Sequence, residues 1–266
     1  MAKPALPSSN DVPRLEVPQP FYVGYLPLPD PIRRFLVPWL LANLVLLVAV
    51  GVVLAQQQRD PGDGVWDTGM PVTYEGVLTL DPYPVLRIEH AAETDGPLTV
   101  LPIEMAKLGA RERLAPFDGQ RVRLTGFAIR RTGRVVLGLE SGPGAIEPLG
   151  RSEVGAVFSP IDLGTHTLVG EIVDPQCFMG AMKPGEGKPH KVCATLCITG
   201  GIPPVFMVRD EGGNTTTYLL TTSAGEALPP THYPYIADPI RLTGRVERRG
   251  DLLVLRADLS SFQRLD

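Results

Sequence analysis

The sequence has no excess of positive charge. Its 25 Lys and Arg residues are outnumbered by 29 Asp and Glu residues, and the formal net charge is −4. Binding to nucleic-acid phosphates needs a basic face, and no stretch of the chain interleaves aromatic side chains with a basic groove. We therefore expect no nucleic-acid partner.

The sequence also lacks the common catalytic motifs. It has neither the G-x-S-x-G nucleophile elbow nor the H-E-x-x-H metalloprotease motif, and no C-x-x-C-H for haem attachment. Three of its histidines, His90, His166 and His232, are isolated. The absence of a catalytic set predicts a protein that is not an enzyme.

Turn-forming residues, in contrast, are abundant. The chain contains 28 Gly and 28 Pro residues, and 44% of its residues are hydrophobic. This composition is typical of many short strands joined by tight turns, with enough apolar side chains to form real cores. We expect an all-β protein outside the N-terminal region.

One long stretch, residues 35–55, carries no charged side chain. At about 1.5 Å per residue it would span roughly 30 Å, the thickness of the hydrocarbon core of a bilayer. Trp39 lies near its start, at the level expected for a membrane interface. We predict a transmembrane helix; a buried core helix is the alternative.

The flanks of this stretch predict its orientation. Arg33 and Arg34 precede it, whereas the other side carries Arg59 among several aspartates. Because Lys and Arg favour the cytoplasmic side, we expect a single-pass protein of a bacterial inner membrane with a periplasmic body. A cleaved signal peptide is the alternative, but the preceding segment is far longer than a typical n-region.

Residues 1–34 form a Pro-rich segment without periodicity, which we expect to be a cytoplasmic tail. Phe21, Tyr22 and Tyr25 make part of it unusually aromatic. Together with Trp39 they are candidates for docking another membrane subunit, and an interfacial aromatic belt is the alternative.

The rest of the chain contains an internal repeat. The sequence Arg-Leu-Thr-Gly occurs at residues 123–126 and 241–244, each time followed by an alternating strand, a basic Gly turn and another strand. Earlier landmarks pair in the same order, including Asp81-Pro82 with Asp174-Pro175. Each copy predicts three strands, a short helical or irregular stretch and a closing hairpin.

This order resembles the OB-fold, a small five-stranded barrel, as found in exported bacterial domains. The resemblance implies two tandem OB-like barrels, at residues 71–150 and 151–266, after a linker at residues 56–70. A β-sandwich built from the same strands is the alternative.

Arginines cluster at equivalent hairpins of both copies. We interpret them as solvated turn charges that protect a sheet edge; contact with lipid headgroups or an acidic partner is the alternative. These residues are Arg130, Arg131, Arg134, Arg245, Arg248 and Arg249.

The second copy differs from the first by an insertion, residues 176–203, between its first two strands. The insertion contains all three cysteines of the chain, Cys177, Cys193 and Cys197, as well as His190. A long loop in a compact domain usually has a function or a covalent staple. Three interpretations remain open.

The first interpretation is a disulfide, because the compartment outside the inner membrane is oxidising. Cys177 bonded to Cys193 or Cys197 would close the loop and leave one thiol over. Cys193 and Cys197 lie four residues apart, so a helical turn is the alternative way to pair two of the thiols. The second is a reactive thiol, which requires a pKa lowered by Lys191 or by a helix N-terminus.

The third interpretation is a metal site. Three thiolates and one imidazole suit a tetrahedral zinc ion, and Met179 and Met182 would add thioethers that favour copper(I). The four candidate ligands are Cys177, His190, Cys193 and Cys197.

Two functions follow from these features. The first is a non-catalytic accessory subunit of an inner-membrane complex, of the respiratory or electron-transfer class, with other membrane subunits and the lipid bilayer as partners. The alternative is a protein that binds a metal, zinc or copper, or a redox cofactor, through the cysteine insertion.

Overall fold

A computed structural model describes residues 28–57 and 64–265, which divide between two compact units. The N-terminal unit contains helix α1, Asp30–Gln57, which includes the whole charge-free stretch. No side chain of α1 is buried, and its most apolar window has a mean hydropathy of 2.5. Among the described residues it is the one helix long and apolar enough to cross a membrane. An N-terminal signal sequence has the same properties.

The C-terminal unit begins with a first barrel. Its strands β2 to β6 close on themselves, because β4 pairs in parallel with β6 and β5 pairs with both β2 and β6. In chain order the elements are β1 (Val65–Trp66), β2 (Val72–Thr79), β3 (Val85–Ala91), β4 (Gly96–Ile103), α2 (Arg111–Leu114), β5 (Gln120–Arg131), β6 (Arg134–Leu139) and β7 (Ile146–Arg151).

A second barrel follows with the same strand order. Here β10 pairs in parallel with β12, and β11 pairs with both β8 and β12. The elements are β8 (Ile161–Val173), α3 (Lys191–Thr199), β9 (Val205–Arg209), β10 (Thr215–Thr222), β11 (Pro239–Arg249), β12 (Leu252–Ala257) and β13 (Gln263–Arg264).

The predicted fold class is confirmed: the chain is mostly β, with two closed five-stranded barrels after one apolar helix. The parallel pairing of the third and fifth strands of each copy closes a single sheet, which excludes the alternative of two stacked sheets. The order matches the OB-like pattern of a five-stranded Greek-key barrel. The first sheet also includes β1, which pairs with β5 ahead of residue 71.

The repeated Thr-Gly pair has the same structural role in both barrels. Thr125 in β5 lies 3.1 Å from Thr73 in β2, and Thr243 in β11 lies 2.8 Å from Thr167 in β8, oxygen to oxygen. The following glycine faces the backbone of the last barrel strand so closely that a Cβ atom would collide with it. The motif therefore marks the point where each barrel closes.

Each barrel has its own apolar core, and a third cluster of buried side chains joins the two. The third cluster includes residues of both barrels and of the insertion. Among its members are Tyr83, Leu101 and Ile129 of the first barrel, Val205 and Leu252 of the second, and Cys177, Phe178, Met179 and Cys197 of the insertion. The insertion is thus part of the junction between the barrels.

Candidate metal centre in the cysteine insertion

The insertion connects β8 to β9 and is mostly ordered as short helical segments. An irregular helical turn, Cys177–Ala181, is followed by a 3₁₀ turn, Lys188–His190, and then by α3. Cys193 and Cys197 lie four residues apart on α3, so they share one face of that helix. That spacing brings both sulfur atoms toward the start of the insertion, where Cys177 lies.

Asp174 contacts both Cys177 and His190 and so connects the first helical turn of the insertion to the 3₁₀ turn before α3. Its side chain is fully buried; Oδ1 accepts a hydrogen bond from the Cys177 backbone N–H at 2.9 Å, and Oδ2 lies 3.0 Å from His190 Nε2. His190 is also buried. A carboxylate that holds a histidine ring is the common second-shell partner of a metal-binding histidine, because it fixes the ring and its tautomer.

The sulfur atoms lie close to this buried pair. Cys177 Sγ and Cys193 Sγ are 3.8 Å apart. The ligand atoms of Cys177, His190 and Cys193 all lie within 4.8 Å of one another, and the same holds for Asp174, Cys177 and Cys197. Cys177 therefore belongs to both groups and is the centre of the cluster.

This spacing fits a tetrahedral ion. Two thiolates bound at about 2.3 Å to a tetrahedral metal are separated by about 3.8 Å, which equals the observed distance between Cys177 Sγ and Cys193 Sγ. The three cysteines are free thiols here, whereas a disulfide requires a bond of about 2.05 Å. The disulfide interpretation stays a prediction.

Contacts among the thiols also shape their acidity. The neighbouring Cys197 thiol, together with burial and the Asp174 carboxylate, raises the pKa of Cys177. The same contact lowers the pKa of Cys197. A metal ion that replaces the protons would bind to both sulfurs.

A lysine from the first barrel completes the cluster. Lys107, in the connection between β4 and β5, places its Nζ 2.6 Å from Cys193 Sγ. This hydrogen bond raises the pKa of Lys107. Lys107 thus provides a positive charge beside the one cysteine of the three that is not fully buried.

Two further contacts from the first barrel hold the insertion. The buried Arg131 guanidinium donates a hydrogen bond to the Phe178 carbonyl at 2.7 Å and lies 4.2 Å from the centre of the Phe178 ring. The Gly109 N–H donates to the Gly200 carbonyl at 2.9 Å, and a Cβ atom on Gly109 would collide with the Gly201 carbonyl. Both ends of the insertion are therefore held by the first barrel.

The structure brings the four predicted ligands into one cluster. Trp39, predicted to dock a partner, lies on α1 with about half of its surface exposed, and Phe21, Tyr22 and Tyr25 lie outside the described residues. The isolated histidines lie elsewhere: His166 contacts the Leu163 carbonyl and His232 stacks with Tyr235.

Sequence reasoning missed two members of the site, Asp174 and Lys107. Asp174 had a local signal, because it lies three residues before Cys177 in the segment where the two copies diverge. Lys107 had none, because it reaches Cys193 across 86 residues of sequence. The arginine interpretation was also wrong for Arg131, which is buried against Phe178 rather than solvated.

No protein-family model, curated protein or solved structure matches this chain significantly. The geometry of the insertion therefore carries the functional argument.

Proposed function

We propose that this protein binds one thiophilic metal ion, zinc(II) or copper(I), at the junction of its two barrels. The ligands are Cys177, His190 and Cys193, with Cys197 as the fourth donor. The observation that carries the proposal is the convergence of these side chains, within 4.8 Å for the first three, around a histidine held by a buried carboxylate.

The charge balance of the cluster supports this function. Thiolates bind metals and thiols do not, so a site that loads an ion needs nearby groups that favour the deprotonated sulfur. Lys107 places a positive charge beside Cys193, and the contact with Cys177 lowers the pKa of Cys197. Because Nε2 of His190 contacts Asp174, Nδ1 is the ring nitrogen left to bind the ion.

We also propose that α1 anchors the protein in a bacterial inner membrane, with the N-terminus in the cytoplasm and the barrels in the periplasm. The length and hydropathy of α1 support the anchor, and Arg33 and Arg34 support the orientation. Alkaline-phosphatase and fluorescent-protein fusions to the C-terminus test the orientation. Fluorescence without phosphatase activity would place the barrels in the cytoplasm.

The experiment that tests metal binding uses the full chain, purified in mild detergent from membranes. Elemental analysis and thiol alkylation with intact-mass measurement are made before and after chelation. We expect one zinc or copper ion per chain and three thiols that become alkylatable only when the ion is removed. A disulfide with no stoichiometric metal would overturn the proposal.

Matched variants locate the ion. Cys177→Ser removes the sulfur common to both groups, and we expect it to abolish stoichiometric metal. His190→Asn should weaken binding strongly. His232→Asn serves as its control and should retain the ion, because His232 stacks with Tyr235 and belongs to neither ligand group. Equal metal content in all three variants would contradict the assignment of these ligands.

A second candidate function is that of an accessory subunit in an inner-membrane complex of the respiratory or electron-transfer class. The observation that favours it is an exposed apolar face on α3, beside Cys193: Val192 is 75% exposed and Leu196 is 53% exposed. These two residues lie four apart on one face of the helix, and contiguous exposed apolar patches mark interaction sites. The proposed occupant is another membrane-anchored subunit, because α1 would place this protein in the same bilayer as that subunit.

Native gel electrophoresis of detergent-solubilised membranes tests this second function. We expect a discrete complex with fixed partners that is lost in Val192→Lys. Val169→Lys makes the same change at an exposed position on β8 and should leave the complex intact. A stable monomer in the unmutated protein would count against the subunit role without affecting metal binding.

A further inference from the structure

A cavity lies between the two barrels, away from the cysteines. It has a volume of about 200 Å³ and is bordered by the end of the β2–β3 connection, by β3, and by strands and a turn of the second barrel. One water molecule needs roughly 10–15 Å³ of such volume, so the cavity has room for a small polyatomic ion. Its polar lining consists of Asp81, Arg87, Thr221, Arg249 and Arg256.

Three guanidinium groups converge on this cavity, one from the first barrel and two from the second. The buried Glu247 carboxylate is shared by two of them: Arg249 Nη2 lies 2.9 Å from Oε2, and Arg256 Nε lies 3.1 Å from Oε1. The Arg256 contact is within ion-pair distance, but its buried Nε–H is not aligned for a hydrogen bond. One carboxylate thus serves two arginines and leaves an N–H without an aligned acceptor.

The third guanidinium, on Arg87, has no carboxylate within ion-pair distance among the described residues. It donates a hydrogen bond to the Thr79 hydroxyl. The other acid at the cavity, Asp81, is exposed and forms its ion pair with Arg111. The cavity therefore holds more positive charge than its carboxylates balance.

Both burial and the neighbouring positive charge act on Arg87. Burial, and then the positive charge of Arg249, lowers the pKa of Arg87 to about 10. Arginine is the residue that proteins most often use to bind planar and tetrahedral oxyanions, because its fork of N–H donors matches their oxygen atoms. An anion in the cavity would balance the charge.

We infer that this cavity is an anion-binding site for a phosphate group, with Arg87, Arg249 and Arg256 as its donors. The group could come from free inorganic phosphate or from a phospholipid headgroup, which presents the same chemistry as a diester. Because the site uses residues of both barrels, an anion there would bind across the junction. The inference does not depend on the metal site.

The test measures the unfolding temperature of the full chain in mild detergent while inorganic phosphate is titrated. Potassium chloride at equal ionic strength is the reference. We expect phosphate to raise the midpoint beyond chloride, with saturation, because a ligand that binds only the folded state stabilises it. No shift beyond that of chloride, with either phosphate or dimethyl phosphate, would overturn the inference.

Dimethyl phosphate distinguishes the two sources, because it mimics the diester of a lipid headgroup. Stabilisation by both probes indicates a headgroup site that also accepts the free anion. Stabilisation by inorganic phosphate alone indicates free phosphate. Stabilisation by dimethyl phosphate alone indicates a lipid headgroup.

Variants locate the site. Arg87→Gln should weaken phosphate binding by about tenfold or more, as the loss of a charge-assisted hydrogen bond implies. Arg245→Gln removes the same charge from an exposed pair with Asp162 and should bind like the unmutated protein. If Arg87→Gln does not fold, Arg87→Lys keeps the charge without the planar fork and should show the same weakening. Unchanged binding in the Arg87 variant would overturn the assignment.

Discussion

The two barrels share a strand order and a closing motif, but the aspartate of the equivalent Asp-Pro pair is exposed in one barrel and buried in the other. In the first barrel Asp81 lies in a short connection between β2 and β3, and its side chain is 89% exposed beside Arg111. In the second, Asp174 opens the insertion and is fully buried against His190. The connection in the second barrel contains a candidate metal centre, whereas the connection in the first barrel is a short turn.

In the second barrel the candidate site lies in a connection between two strands. The strands of both copies close the barrels and form their cores. The candidate ligands therefore lie outside the strands, in the connection between β8 and β9. Moreover, the first barrel supplies what the second lacks: Lys107, Arg131 and the Gly109 backbone all hold the insertion. The repeat thus provides a site on one copy and its support on the other.

The largest effect that would test this comparison is expected for Phe178→Ala. Phe178 is buried in the cluster that joins the barrels and packs beneath Arg131. Truncation of a buried phenylalanine costs about 3–5 kcal/mol in the free energy of unfolding. Denaturant unfolding, followed separately by circular dichroism and by fluorescence, measures it.

The control for Phe178→Ala is Val192→Ala, an exposed site in the same insertion, which should leave the unfolding midpoint unchanged. If the insertion were only an appended loop, Phe178→Ala would be as mild as its control. That result would separate the insertion from the barrel junction.

The next effect is expected for Asp174→Asn. An amide can still accept from the Cys177 N–H, but its NH₂ group would then face His190 Nε2 and favour the wrong tautomer. Loss of such a second-shell partner typically lowers metal affinity about 10–100-fold. Competition with a chromophoric chelator measures the affinity.

The equivalent residue of the first barrel provides the control for that prediction. Asp81→Asn makes the same change at an exposed position and should leave metal affinity unchanged. Equal affinities for both variants and the unmutated protein would mean that Asp174 does not orient a ligand.

The smallest effects concern two arginines near equivalent hairpins. Arg134 of the first barrel pairs with Asp251 of the second at 3.1 Å, with both side chains mostly buried, and Thr99 also donates to Asp251. Loss of this charged hydrogen bond in Arg134→Ala should cost about 1–3 kcal/mol. Chemical denaturation provides the measurement.

Arg245→Ala removes an arginine of the second barrel whose pair with Asp162 is exposed to solvent. Exposed ion pairs contribute little, so no measurable change in stability is expected. Similar losses for both arginines would mean that the hairpins of the two barrels are not distinguished by their contacts.

Much of the fold could be predicted from local sequence. The charge-free stretch lies within α1, and the alternating strands of each copy, with the Arg-Leu-Thr-Gly motif, indicated two barrels. The four candidate ligands were also recognisable, because they are the only cysteines and the one histidine in a segment that the first copy lacks. These signals depend on residue type and spacing, which the sequence displays directly.

The rest depended on contacts between distant residues. Nothing near Lys107 marks it as the neighbour of a thiol, and nothing near Arg87 marks it as part of an arginine cluster. The hairpin arginines have similar sequence surroundings, but Arg131 is buried beneath the insertion while Arg245 is exposed. Burial of a charged group is decided by what packs over it, and that requires both barrels in place.

The sequence by itself determined an apolar helix and two copies of one β-unit, because hydrophobic runs and period-two alternation act over a few residues. It also collected three thiols and an imidazole in one segment. Only the tertiary structure decided that Asp174 is buried and that Cys177 belongs to two ligand groups. It also decided that the first barrel contacts the insertion through Lys107, Arg131 and Gly109. These contacts form at the junction between the barrels, where side chains far apart in sequence are buried against one another. Because water is excluded there, each buried charged group needs a partner from another part of the chain.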